Sequence, residues 1–166
     1  MQAKIILPAV LAALVLLAPV TATAGAEGVG LGVSVGAVFP KTEGISFSDV
    51  GLAWGFWVDI PIAWKFHISP SAELYNIGGD VGTSGATDIC LNFKFILPVS
   101  IMKIFFGAAG GVTNKVEYRA NAGLLAGLSF PLISSLEAFV AFKYKVIIQD
   151  PNIHMLHTNA GVLFVF

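Results

Sequence analysis

The sequence predicts an all-β fold, an eight-stranded antiparallel up-and-down β-barrel that crosses a membrane. Three observations predict it: a shortage of charge, eight segments with apolar residues at every second position, and a final run, "NAGVLFVF", that keeps this alternation to Phe166. The 166 residues are 56% hydrophobic and 11% charged, whereas an ordinary soluble domain has about a quarter of its residues charged. So little charge does not cover a water-facing surface. The formal net charge of -1, with bases spread thinly, gives no footing for nucleic-acid binding.

The amino terminus reads as an export signal. Lys4 supplies a positive start, "IILPAVLAALVLLAPV" an apolar stretch, and Ala22-Thr23-Ala24 a small-residue cleavage site. This predicts a cleavable signal peptide over 1–24 and a barrel domain over 25–166. Cleavage removes Lys4 and no acid, so nine bases become eight against ten acids, a net of -2. Cys90 is the only cysteine, so no internal disulfide supports the fold.

Only helices and closed barrels satisfy every backbone hydrogen bond inside lipid. Two stretches approach the length of a membrane helix, 95–112 and 120–142, but Pro98 and Lys103 break one, and Pro131 and Glu137 the other. "LEAFVAFKYKV", residues 136–146, decides between the two. On a helix, Glu137, Lys143 and Lys145 would point in widely separated directions, some of them into lipid. On a strand all three share one face, and the other holds Leu136, Ala138, Val140, Phe142, Tyr144 and Val146. A lysine facing lipid at the bilayer midplane of a barrel costs roughly 2–4 kcal/mol. The strand avoids that cost.

The same alternation recurs along the chain. Leu31, Val33, Val35, Ala37 and Phe39 oppose glycines and Ser34, and Leu52, Trp54, Phe56, Val58 and Ile60 oppose Ala53, Gly55, Trp57 and Asp59. A third segment from Trp64 sets Phe66, Ile68, Ala72 and Leu74 against Lys65, His67, Ser69, Ser71, Glu73 and Tyr75. The fourth sets Ile89, Leu91, Phe93 and Phe95 against Asp88, Cys90, Asn92 and Lys94. The fifth and sixth run over 103–112 and 120–130, with glycine and alanine dominating the inward face, and 136–146 and the terminal run complete the eight. Pro61, Pro98 and Pro131 are expected to mark short turns, with more polar loops near 40–49, 76–87, 113–118 and 147–153. Short turns at one end and longer loops at the other are the layout of an outer-membrane barrel with both termini in the periplasm. Pro70 falls inside the third strand and predicts a bulge or kink.

In "HTNAGVLFVF" the outward residues are Ala160, Val162, Phe164 and Phe166, while His157, Asn159 and Gly161 turn inward. Asn159, Gly161, Phe164 and Phe166 resemble, position by position, the terminal signal read by the barrel-assembly machinery. "KIFFGAAGGV" and "NAGLLAGLSF" likewise resemble segments of the OmpA/OmpX-like outer-membrane β-barrel family, and the likeness of pattern spans most of residues 27–166. It implies a Sec-exported precursor in the outer membrane of a Gram-negative-type bacterium. Its surroundings would be outer-membrane lipids, its partner in biogenesis the assembly machinery, and its state a monomer.

An eight-stranded barrel is just wide enough for side chains to fill. The expected contents are Asp59, Glu73, Asp88 and Glu137 against Lys65, Lys94, Lys143 and Lys145, with His157 beside them. Strand direction puts Glu73, Asp88, Lys143, Lys145 and His157 toward the outer mouth, and Asp59, Lys65, Lys94 and Glu137 in the periplasmic half. Buried charges of this kind must be paired, so a plug of ion pairs is expected rather than a pore.

Sharper chemistry finds little footing. Some eight-stranded barrels resembling this one are lipid A-modifying enzymes with a histidine and a serine near the outer leaflet. Here no serine stands two residues after His154 or His157, and an inward His157 bonded to Glu73 or Asp88 is the simpler reading. His67 and His154 are too isolated for a structural zinc site, which takes four ligands, and "GVGLGVSVG" opens no helix as a phosphate loop would. Catalytic, cofactor and metal residues are therefore expected to be absent, and Cys90 to pack as a small apolar group. The outer loops carry Lys41, Glu43, Asp49, Asp80, Lys115, Glu117, Arg119 and Asp150, of mixed sign, and name no ligand. The expected role is a structural or surface-interaction protein of the cell envelope with a plugged lumen. The alternatives are a narrow channel for small or hydrophobic solutes and, last, the lipid A-modifying enzyme.

Overall fold

The computed structural model describes residues 28–41, 50–76, 85–115 and 117–166. The signal peptide and the loop residues Glu43, Asp49 and Asp80 lie outside the described residues. Eight strands follow one another: β1 (Gly30–Lys41), β2 (Gly51–Ala63), β3 (Phe66–Asn76), β4 (Gly85–Val99), β5 (Met102–Asn114), β6 (Tyr118–Ile133), β7 (Leu136–Ile147) and β8 (Ile153–Val165). Each pairs antiparallel with its sequence neighbours, and β8 returns to β1 to close the barrel. The seam runs from Gly30↔Val165 to Lys41↔His154, and the amide of Phe166 extends it by donating to the Val29 carbonyl at 3.0 Å. No helix among the described residues is long and apolar enough to cross a membrane. At 11–16 residues, each strand meets or exceeds the roughly 9–11 that a tilted membrane strand needs.

Period two sorts the side chains between two environments. On β2, Leu52, Trp54 and Phe56 are exposed while Ala53, Trp57 and Asp59 are buried. On β7, Val140, Phe142 and Tyr144 are exposed while Phe139, Ala141, Lys143 and Lys145 are buried. Along the strands the molecule is inverted relative to a soluble protein: Asp59, Glu73, Asp88, Lys94, Glu137, Lys143 and Lys145 are buried inside, and most large apolar groups face outward.

The turns depart from expectation. They fall at 64–65, 100–101 and 134–135, two or three residues beyond Pro61, Pro98 and Pro131, which lie within strand ends. The ladder shifts register between Pro61 and Ala63 and between Pro131 and Ile133. A proline can donate no ladder hydrogen bond, so an irregularity there loses least. Trp64 therefore belongs to a turn, where its φ is 48°, and not to the third strand. Pro70, by contrast, causes no bulge. Trp57↔Ser71 and Ile60↔Ile68 keep one register across it, as does Pro70↔Leu91 on the other side. The Ser69 hydroxyl donates to the Val58 carbonyl at 2.7 Å, bonding an acceptor beside the missing proline N–H.

Glycine on β5 lets β4 approach. A Cβ at Gly111 would stand 2.1 Å from the Ile89 carbonyl oxygen and 2.8 Å from Cys90 Cα, whereas one at outward Gly110 would meet nothing nearer than 3.9 Å. Gly111→Ala is therefore expected to destabilise the barrel by about 1–3 kcal/mol, the usual range for overpacking, with Gly110→Ala close to neutral. Urea unfolding of the two variants side by side measures the difference.

Candidate functional site in the packed lumen

The inward residues of all eight strands form layers. Nearest the loop end, Val38, Ala53, Tyr75, Ala86, Ile147 and Met155 make an apolar cap. Beneath it lie the charges. Lys143 Nζ donates to Glu73 Oε1 at 2.5 Å, and His157 Nδ1 lies 3.0 Å from Glu73 Oε2. Lys145 pairs with Asp88, which also accepts from the Tyr75 hydroxyl at 3.0 Å and the Thr113 hydroxyl at 2.5 Å. Asn121 Nδ2 donates to Thr113 Oγ1 at 2.9 Å, and the Cys90 thiol to Asn121 Oδ1 at 3.4 Å. Lys143, Lys145 and His157 are 0% exposed, and Glu73 and Asp88 1%. A low-dielectric interior strengthens such bonds and equally penalises any left unmade.

An aromatic layer follows. Trp57 and Phe139 meet edge to face with centroids 5.6 Å apart, Phe105 and Leu125 pack with them, and Trp57 Nε1 donates to Ser34 Oγ at 2.9 Å. The Lys143 ammonium lies 5.0 Å from the Trp57 ring centroid and so joins the two layers. Toward the turn end there are two further charged clusters. Asp59 pairs with Lys94 and, at 2.9 Å, with His67 Nδ1. Glu137 pairs with Lys103 at 2.6 Å and accepts a hydrogen bond from Ser129. A cavity of about 190 Å³ lies between these two clusters.

Of the residues expected in the lumen, the structure brings together Glu73, Asp88, Lys143, Lys145 and His157 in one layer, and sets Asp59, Lys94 and Glu137 below them. Lys65 it does not. That residue sits in the β2–β3 turn with its ammonium 4.8 Å from the Trp64 ring centroid. The cation beside Glu137 is instead Lys103, whose inward position on β5 was legible from alternation although its partner was not. Tyr75, Thr113 and Ser129 also enter these clusters without being singled out in the sequence, and His67, set aside there as too isolated for a zinc site, joins Asp59.

In the terminal signal, Asn159 is buried in the lumen, and a Cβ on Gly161 would stand 2.8 Å from Phe139 Cζ. Phe164 and Phe166 face outward with ring centroids 6.0 Å apart. His154 lies away from the lumen layers, its Nδ1 2.6 Å from the Tyr144 hydroxyl. Glu73, Asp88 and His157 bring ligand-type atoms within 4.8 Å of one another. Each carboxylate already holds a lysine ammonium, so a divalent cation would have to displace both bases.

No protein-family model matches the chain, and no curated sequence matches it. Solved structures do. The chain is similar to Neisserial surface protein A at 13% identity and a TM-score of 0.74, over 86% of this chain and 99% of that one. It is similar to Ail, the attachment invasion locus protein of Yersinia pestis, at 11% identity and a TM-score of 0.53, over 84% and 100%. A de novo designed transmembrane β-barrel matches at 10% identity and a TM-score of 0.51, over 87% and 100%. At these identities the likeness is one of fold: a closed eight-stranded barrel of the kind that crosses membranes with strands.

Proposed function

We propose that this chain is an exported outer-membrane barrel with both termini in the periplasm, closed to solutes, and acting through its outer rim as a structural or surface-interaction protein of the envelope. The fully buried layer of Lys143, Glu73, His157, Lys145 and Asp88 carries the reading. These pairs cross the lumen between β3, β4, β7 and β8, and a water-filled pore at this level would leave them solvated. Two structural neighbours, a surface protein and an attachment invasion protein, support a role at the cell surface. The role is non-enzymatic. His157 is enclosed between Glu73 and the Tyr75 ring, 5.0 Å away, and is not open to a substrate at the rim.

Planar-bilayer recording tests the plug. The purified barrel is expected to conduct no more than protein-free lipid; conductance well above that baseline would overturn the reading and favour a narrow solute channel. Removing Phe166 tests the proposed assembly signal. The truncated chain is expected to reach the heat-modifiable folded form several-fold less in cells, while refolding into detergent in vitro. Equal folded yields in cells would rule the signal out.

A further inference from the structure

The cavity at the turn end has no part in the plug. It opens at the turn end of the barrel, its lining reaching Gly28, Ser134 and Val165, and it ends blindly against Trp57 and Phe139 beneath the charged layer. Phe105, Ile96 and Leu163 add apolar wall. Asp59 with Lys94 stands on one side of the cavity and Glu137 with Lys103 on the other.

We propose that this cavity is a binding site for a small, net-neutral amphipathic molecule built on one aromatic or alicyclic ring. Its size fits that class: an apolar cavity of about 150 Å³ holds benzene, so about 190 Å³ accommodates one ring and a short polar substituent. Trp57 and Phe139 offer ring edges to the apolar body, and Phe105, Ile96 and Leu163 line it with further apolar surface. The walls set the charge. Each acid there already faces a base, so a ligand carrying net charge would leave one sign uncompensated in a poorly solvated site. A neutral hydroxyl or amide can instead donate to the Ser129 hydroxyl oxygen, whose own proton is given to Glu137. Because the end is blind, such a molecule is held and not passed. Entry from the periplasm, though not binding itself, rests on the orientation proposed above.

The test titrates 4-fluorobenzyl alcohol into the refolded full barrel in detergent micelles and follows the fluorine NMR signal, with 4-fluorobenzoate and 4-fluorobenzylamine as charged counterparts. The alcohol is expected to give a saturable bound signal, and each charged analogue to bind at least tenfold more weakly. Leu163→Trp, which fills the cavity from its lining, is expected to abolish saturation while the gel shift on heating persists. Partitioning no different from empty micelles, or equal binding of all three probes, overturns the proposal. Should Leu163→Trp fail to fold, quenching decides. In a Trp54→Phe, Trp64→Phe background, the alcohol is expected to slow acrylamide quenching of Trp57 at least twofold, and no change overturns the site. Orientation is read separately. A Ser134→Cys variant should react with an impermeant maleimide only in permeabilised cells, and labelling of intact cells would reverse the side of entry while leaving micelle binding unaffected.

Discussion

Lys143→Ala is expected to cost about 3–5 kcal/mol of folding free energy, the range for removing one partner of a buried ion pair. The lysine is 0% exposed and donates to Glu73 Oε1 at 2.5 Å. Its loss leaves the Glu73 carboxylate, 1% exposed, without its directly bonded cation and beside the His157 imidazole. It also takes the cation from the Trp57 face and opens a gap between the charged and aromatic layers. A domain of ordinary stability holds only about 5–15 kcal/mol in total, so the variant should be marginal. The same physics sets the control. In Lys143→Met with Glu73→Leu no charge is stranded, and replacing a buried pair by apolar groups of similar volume is often neutral. Most of the loss should return, and a double-mutant cycle isolates the coupling. Urea unfolding in phospholipid vesicles gives the numbers. A single variant within about 0.5 kcal/mol of the parent, the scatter typical of an innocuous surface change, would show that the pair is not buried as described.

The second large effect belongs to the outer surface. Leu124 lies halfway along β6 and is 66% exposed. In a bilayer that exposure is to hydrocarbon, and Leu124→Lys is expected to cost roughly 2–4 kcal/mol. Tyr118, at the loop end of the same strand and 57% exposed, is the comparison. A lysine near the interface costs only about 0–1 kcal/mol, because its ammonium reaches water. A protein surrounded by water would show no such gradient. Equal and small losses at both positions would therefore sink the transmembrane reading, whatever the barrel's shape.

How far the sequence reaches is clearest on β7. Glu137, Lys143 and Lys145 sit at one parity and Val140, Phe142 and Tyr144 at the other, and their separation is visible in eleven letters. The prolines were less informative. Pro61 and Pro131 lie near strand ends as local rules suggest, but the strands continue past them, because an irregular pair at the end of a ladder loses less than an early turn would. Pro70 was legible as a missing donor and not as a bulge, since the compensating Ser69 hydroxyl meets a carbonyl on a neighbouring strand. Lys65 had inward parity by extrapolation from the third strand, and lost it when the turn took residues 64 and 65.

What the sequence by itself determined is the environment of each side chain. Period two is a property of the local backbone, so counting residues separates lipid from lumen, and eight such segments imply closure. What the tertiary structure alone decided is who meets whom across the interior. Lys143 and Glu73 are 70 positions apart, and their meeting depends on strand tilt and on the stagger accumulated around the closed ladder. A two-residue change of stagger, which preserves the inward parity, would keep the composition of the lumen and exchange its partners. The cavity between the Asp59 and Glu137 clusters has the same origin: it is the space left where side chains from opposite walls fail to meet.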